Sequence, residues 1–178
     1  MEIQEAIPQT PAAASEKSYW LVRDDKGPAI ETDPAEIIVG LRRELNRLSM
    51  IHDSSCIFIL SLDTDGAAKA MDELCGRIAA CLRSYDALYR FTPDKFLVML
   101  PHIGREDAVG VIRRLRARVL SAPFNMNDGD PVRLTASFGG AMLDSSAPLH
   151  EHMDRASEAH SWALKGRGDS ICMWTPQL

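Results

Sequence analysis

Two strand-like runs, Ala87–Phe91 and Lys95–Leu100, are separated only by Thr92-Pro93-Asp94. No other feature of the chain constrains its fold so tightly. Runs this close can pair only as an antiparallel hairpin, because a parallel connection needs a crossover of about a dozen residues or more. Amphipathic patterns stand on both sides of the hairpin. Ala67–Leu82 keeps Ala67, Met71, Leu74, Ile78 and Leu82 on one helical face, and Arg105–Leu120 keeps Ala108, Val111, Ile112, Leu115 and Val119 on another. Farther out, Cys56–Leu62 and Val132–Met142 read as apolar strands, Leu149–Leu164 as a helix and Ser170–Trp174 as a closing strand. Asp33-Pro34 starts a further helix, with Asp33 as N-cap, proline in the first turn, and Ile37, Ile38, Leu41, Leu45 and Leu48 at helical spacing. The order from residue 56 is β-α-β-β-α-β-α-β, which predicts a single α/β sandwich on a mixed central sheet.

The 178 residues suffice for one substantial core, and 46% hydrophobic with 25% charged residues is ordinary globular composition. The longest apolar runs are too short to span a bilayer, so no membrane partner is expected. A net charge of -5 argues against a general nucleic-acid binder. Cys56, Cys75, Cys81 and Cys172 show no CxxC spacing and read as reduced thiols of a cytoplasmic protein. Residues 1–16 read as a disordered tail, and 17–34 as an extension with short strands at Tyr19–Arg23 and Ala29–Thr32 around the turn signal Asp24-Asp25-Lys26-Gly27-Pro28. The domain proper is read as 35–178. His150-x-His152 reads as two exposed loop histidines without a matching ligand cluster, and His160 as a satisfied, partly buried histidine on its helix.

Several stretches in this order resemble the GGDEF, or diguanylate cyclase, domain. Arg83-Ser84-Tyr85-Asp86 stands as an RxxD ahead of a hairpin whose five signature positions read Thr92-Pro93-Asp94-Lys95-Phe96. Leu62-Asp63-Thr64-Asp65 resembles the family's strand-end DxD, Leu134–Ala141 its VTVSIGVA strand, and Ala156–Asp169 its late helix and loop. The resemblance implies a palm-like sandwich of about five strands flanked by helices. It also implies an ancestral reaction, the condensation of two GTP molecules into cyclic di-GMP on divalent metal.

That machinery is altered in the residues. The metal carboxylates fall on Asp63 and Asp94, read here as vestigial, with no metal and no cofactor expected. The two glycines of the signature let the backbone approach the nucleotide. Thr92 is branched, and Pro93 fixes φ and removes an N–H. Lys95 puts a positive charge where the family has an acid. The base-reading Lys and Asn positions fall on Ala68 and Met71, and the late phosphate-binding Lys on Leu164, with Lys165 turned to another side of the helix. The expectation is a protein with no catalytic residues.

The family's inhibitory site, by contrast, is intact in sequence. The resemblance gives it Arg83, Asp86 and, on the following helix, Arg114. An arginine fork suits guanine O6 and N7 or phosphate, and aspartate can accept from guanine's N–H edge. The expected function is a cyclic di-GMP effector that relays its signal to an unidentified protein partner, homodimer formation being left open. The alternative is a scaffold that binds a partner without nucleotide.

Overall fold

The computed structural model describes residues 30–51, 53–64, 68–126 and 130–176. The expected tail, the strand at 19–23 and the turn at 24–28 lie outside them. The elements are β1 (Ile30–Glu31), α1 (Pro34–Met50), β2 (Ser55–Leu62), α2 (Ala68–Ala79), β3 (Ala87–Thr92), β4 (Lys95–Leu100), α3 (Arg105–Val119), β5 (Ala136–Leu143), α4 (Leu149–Lys165) and β6 (Ile171–Met173). They form one mixed sheet in the order β1-β3-β4-β2-β5-β6. The expected five strands gain a sixth, the two-residue β1, which adds to the edge by pairing parallel with β3 through Ile30 and Leu88.

β2 occupies the middle because its sequence allows nothing else. All eight of its residues are buried, and it pairs antiparallel with β4 on one side and β5 on the other. Alternate residues then serve opposite faces. Cys56, Phe58, Leu60 and Leu62 join the core under α2 and α3, while Ile57 and Ile59 join that under α1 and α4. Asp33 caps α1 as its sequence predicts, accepting from the Ala35 N–H at 2.9 Å. Glu44 faces the sheet from α1 at only 3% exposure. Its cost is offset by two bonds from Arg47, at 2.8 and 2.6 Å, and a third from the Ser55 hydroxyl.

Three local readings need correction. The predicted strand 132–142 is divided: Val132 forms only a bridge with Phe124, and β5 starts at Ala136, just after Thr135, whose carbonyl accepts from the Asp63 N–H in the β2–β5 register. Helix α2 ends at Ala79 rather than Leu82, where a turn redirects the chain toward β3. His150 and His152 are not loop residues. Both lie in the first turn of α4, and His152 is fully buried, with Nε2 donating to the carbonyls of Asp144 (2.9 Å) and Ala147 (3.1 Å). Cys56 and Cys75 are buried, whereas Cys81 and Cys172 are half-buried; all four are free thiols. Among the described residues no helix is long and apolar enough to cross a membrane.

Candidate functional site

Strand ends and the hairpin bring one group of polar residues together. Asp63 follows the last residue of β2. Its Oδ1 accepts from the Ser137 hydroxyl at 2.6 Å and its Oδ2 from the Asp169 N–H at 2.8 Å. The Asp169 carboxylate in turn takes the Arg116 guanidinium of α3. Arg167, Gly168 and Asp169 have φ of 88°, 71° and 50°, a run in the left-handed region that only Gly168 adopts without penalty. A Cβ at Gly168 would stand 2.9 Å from the Asp63 Cγ. Asp63 therefore fastens a strained loop onto the sheet.

At the hairpin, β3 and β4 meet in a tight turn, with Thr92 opposite Lys95 and an irregularity between Arg90 and Thr92. Pro93 and Asp94 both keep negative φ. The usual two-residue hairpin turns require positive φ, and the irregularity absorbs the mismatch in twist. Arg90 braces the tip by donating to the Asp72 carboxylate of α2 (2.5 Å) and to the Pro93 carbonyl (2.9 Å). Asp94 is exposed and accepts from the Thr92 hydroxyl at 2.7 Å. That bond, first, together with its own amide, Lys95 and His160, holds its carboxyl below the usual range in spite of partial burial. Phe96 is fully buried and anchors the hairpin in the core.

His160 projects from α4 into the same neighbourhood. Its Nε2 lies 3.0 Å from the Ser61 hydroxyl. Burial pushes its pKa below the ordinary value of 6.5 and Lys95 adds to this, while Asp63 and Asp94 oppose it. A base with a depressed folded pKa costs stability once the unfolded chain begins to take up a proton. The thermal midpoint is therefore expected to fall as pH drops below about 6.5. His160→Leu should flatten that part of the profile, which calorimetric melts at successive pH values would check.

A divalent cation finds few free ligands in this group. A magnesium site takes one or two carboxylates together with substrate phosphates and water. Each Asp63 oxygen already accepts a hydrogen bond from this chain, one Asp94 oxygen does too, and Lys95 is a cation beside them. Among the described residues no cluster of three or more His, Cys, Asp or Glu side chains could hold a metal. Met71 is buried in the core, Leu164 is 42% exposed and Lys165 is exposed.

A second site lies around the turn after α2. Asp86 is 4% exposed and its Oδ2 accepts from the Arg83 N–H at 2.7 Å, closing the turn. Burial raises its pKa, against the bond from Arg83. Its Oδ1 makes no hydrogen bond among the described residues. Arg83 is exposed, and its Nη1 donates to the Tyr85 hydroxyl at 2.7 Å. Arg114 is exposed on α3 with no hydrogen bond or ion pair among the described residues. Residues 83 and 86 are thus joined directly, and no bond links either to Arg114. Helix packing brings the two segments onto one face of the sheet. Arg77 of α2 donates to the carbonyls of Val119 (2.8 Å) and Ala122 (2.7 Å), while Glu73, one turn earlier, accepts from the Asn125 N–H (3.1 Å). The helices therefore run in opposite senses there, and the end of α2 heads back along α3.

Sequence reasoning missed the partners of Asp63, namely Ser137 and Asp169, the Arg116 that holds Asp169, and the Tyr85 that steadies Arg83. Tyr85 sits inside the RxxD and was there to be noticed; the Asp63 partners come from two distant segments.

A mixed sheet with a central antiparallel hairpin, carrying acids at the hairpin tip and at the end of the neighbouring strand, is the α/β arrangement that the resemblance to GGDEF domains implies. Residues 64–169 match the family described as diguanylate cyclase, GGDEF domain. The chain belongs to the GGDEF family. It is 29% identical over 103 residues to the diguanylate cyclase DgcP of Pseudomonas aeruginosa, covering 58% of this chain but only 15% of DgcP. Among solved structures, the GGDEF domain of DgcB from Caulobacter crescentus, in complex with c-di-GMP, superposes with a TM-score of 0.72 at 15% identity, over 88% of this chain and 97% of that one. The diguanylate cyclase SiaD of P. aeruginosa, in complex with its activator SiaC, gives 0.68 at 22% identity, over 80% and 61%.

Proposed function

We propose that this GGDEF domain is a cyclic di-GMP effector without cyclase activity, binding the ligand through Arg83, Asp86 and Arg114 and relaying its state to a protein partner. The reading rests on one contrast. Both oxygens of Asp63 accept from this chain's own hydroxyl and amide, and one oxygen of Asp94 accepts from Thr92, whereas the guanidiniums at the second site stand exposed, one of them steadied by a tyrosine. Arginine forks at a solvent-facing position suit guanine edges and phosphate oxygens. The free Oδ1 of Asp86 suits the guanine N–H edge. Loss of cyclase activity is supported by Thr92-Pro93, which cannot offer a nucleotide the bare backbone of paired glycines, and by Lys95 beside Asp94.

Calorimetry with cyclic di-GMP, GTP and GDP tests the proposal. Binding of cyclic di-GMP at micromolar concentration, without comparable binding of GTP, is the expected result. Incubated with GTP and Mg²⁺, the protein should yield no cyclic di-GMP above a heat-killed control by chromatography, and any such product would overturn the inactive reading. The scaffold alternative is favoured by the apolar residues Ile38 and Val39, about 45% and 44% exposed on α1. It takes over if a partner binds equally with and without nucleotide.

A further inference from the structure

We propose that the groove between α1 and the start of α4 is the seat of this chain's own segment Tyr19–Val22. The groove encloses about 670 Å³ and is walled by Ile38 and Leu45 of α1 and by Leu149 and Met153 of α4. Ile37, Leu41, Glu44 and Leu48 form the face of α1 that meets the sheet. Ile38 and Leu45 lie on the flank beside that face, and Ile38 is 45% exposed. The groove is an apolar surface left over after the core is complete.

Covalent connection selects the occupant. Tyr19-Trp20-Leu21-Val22 is a run of consecutive apolar residues, joined by Arg23–Ala29 to β1, which directly precedes α1. The linker to Ile30 can extend to roughly 26 Å. The groove's farthest α1 residue, Asn46, lies only about 18 Å along the helix from Pro34. The turn signal Asp24-Asp25-Lys26-Gly27-Pro28 can reverse the chain so that the segment runs back beside α1. One groove wall carries Arg42 and the other Asp154. The segment's flanks carry both signs, Glu16-Lys17 before it and Arg23-Asp24-Asp25 after it, so charge opposes neither orientation in the groove. A short tether supplies an effective concentration near millimolar, enough for a few apolar side chains to dock where a free peptide would not.

The test uses the full chain with p-benzoylphenylalanine in place of Trp20. Irradiation should give an adduct within one chain, mapping to the peptides that contain Met153, Ile38 or Leu45. Ile38→Asp, at an exposed position that should leave the fold intact by circular dichroism, should reduce the adduct yield by about tenfold. It should also speed tryptic cleavage after Arg23 by about tenfold in the otherwise natural chain. Leu21→Arg should reproduce both effects from the segment's side. An adduct mapping elsewhere, or cleavage after Arg23 that neither substitution changes, overturns the proposal. So do adducts found only in covalent dimers whose yield rises with protein concentration, because a second copy then fills the groove.

Discussion

Titrated with cyclic di-GMP, the intact domain is expected to bind, and Arg83→Ala to weaken binding by about one to two decades. That is the usual loss when a charge-assisted hydrogen-bonding partner is removed. Arg114→Ala should cost a similar factor. Arg118→Ala, which only thins the surrounding potential, should cost little and only at low salt. Asp94→Asn, at the hairpin, should leave affinity unchanged. The geometry refines what Asp86 does. Its carboxylate closes its own turn through Oδ2, and in the proposed binding mode Oδ1 accepts from the ligand. Asp86→Ala would confound these roles. Asp86→Asn keeps an acceptor for the Arg83 N–H while removing the charge, so it should reduce selectivity for guanine over adenine without opening the turn. Because burial raises the Asp86 pKa, protonation should remove the guanine acceptor at a higher pH than an ordinary aspartate would. Affinity should accordingly fall on acidification before surface carboxylates titrate. No heat at micromolar ligand, or affinity indifferent to Arg83→Ala, would reject the effector reading.

The largest effect on stability is expected at Gly139. A Cβ built there would land on the backbone N and Cα of His160, so α4 rests on β5 at a distance only glycine permits. A flexible side chain could move aside, but the obstacle here is the backbone of a helix. Gly139→Ala should therefore cost about 3 kcal/mol or more. In a domain of this size that lowers the melting temperature by roughly 6–12 °C. A melt within about 2 °C of the parent would show that α4 lies farther from the sheet than described. At Gly140 the built atom meets the Phe58 ring and the Met173 sulfur instead, so that substitution should be milder only if those side chains can yield.

The periodicity of the chain revealed most of this architecture. Alternating apolar runs gave β2, the hairpin and the helix order, because those patterns arise from burial on known faces. Asp33 announced its helix for the same reason, its side chain acting on a neighbour two residues away. What the pattern could not reveal depends on tertiary approach. Val132 reads as strand by propensity, yet it pairs with Phe124 rather than with β2. His152 looked exposed because its partners, Asp144 and Ala147, are carbonyls, and carbonyls leave no mark in a sequence. Arg83, Asp86 and Arg114 were singled out through resemblance alone. That Asp86 is turned inward was not legible, since burial of a lone carboxylate is set by the turn that encloses it.

The hairpin also bears on how fast this sheet can assemble. Strand β2 must find β5 across most of the domain, β1 must find β3 past α1, β2 and α2, and β6 must return past α4 to β5. Each of those pairings closes a long loop before any contact repays the lost chain entropy. Only β3 and β4 can zip up through a turn, and Pro93 holds its own φ in advance, reducing what must be ordered. A feature unsuited to cradling nucleotide is thus well suited to starting the fold, and selection for folding rate alone would preserve it.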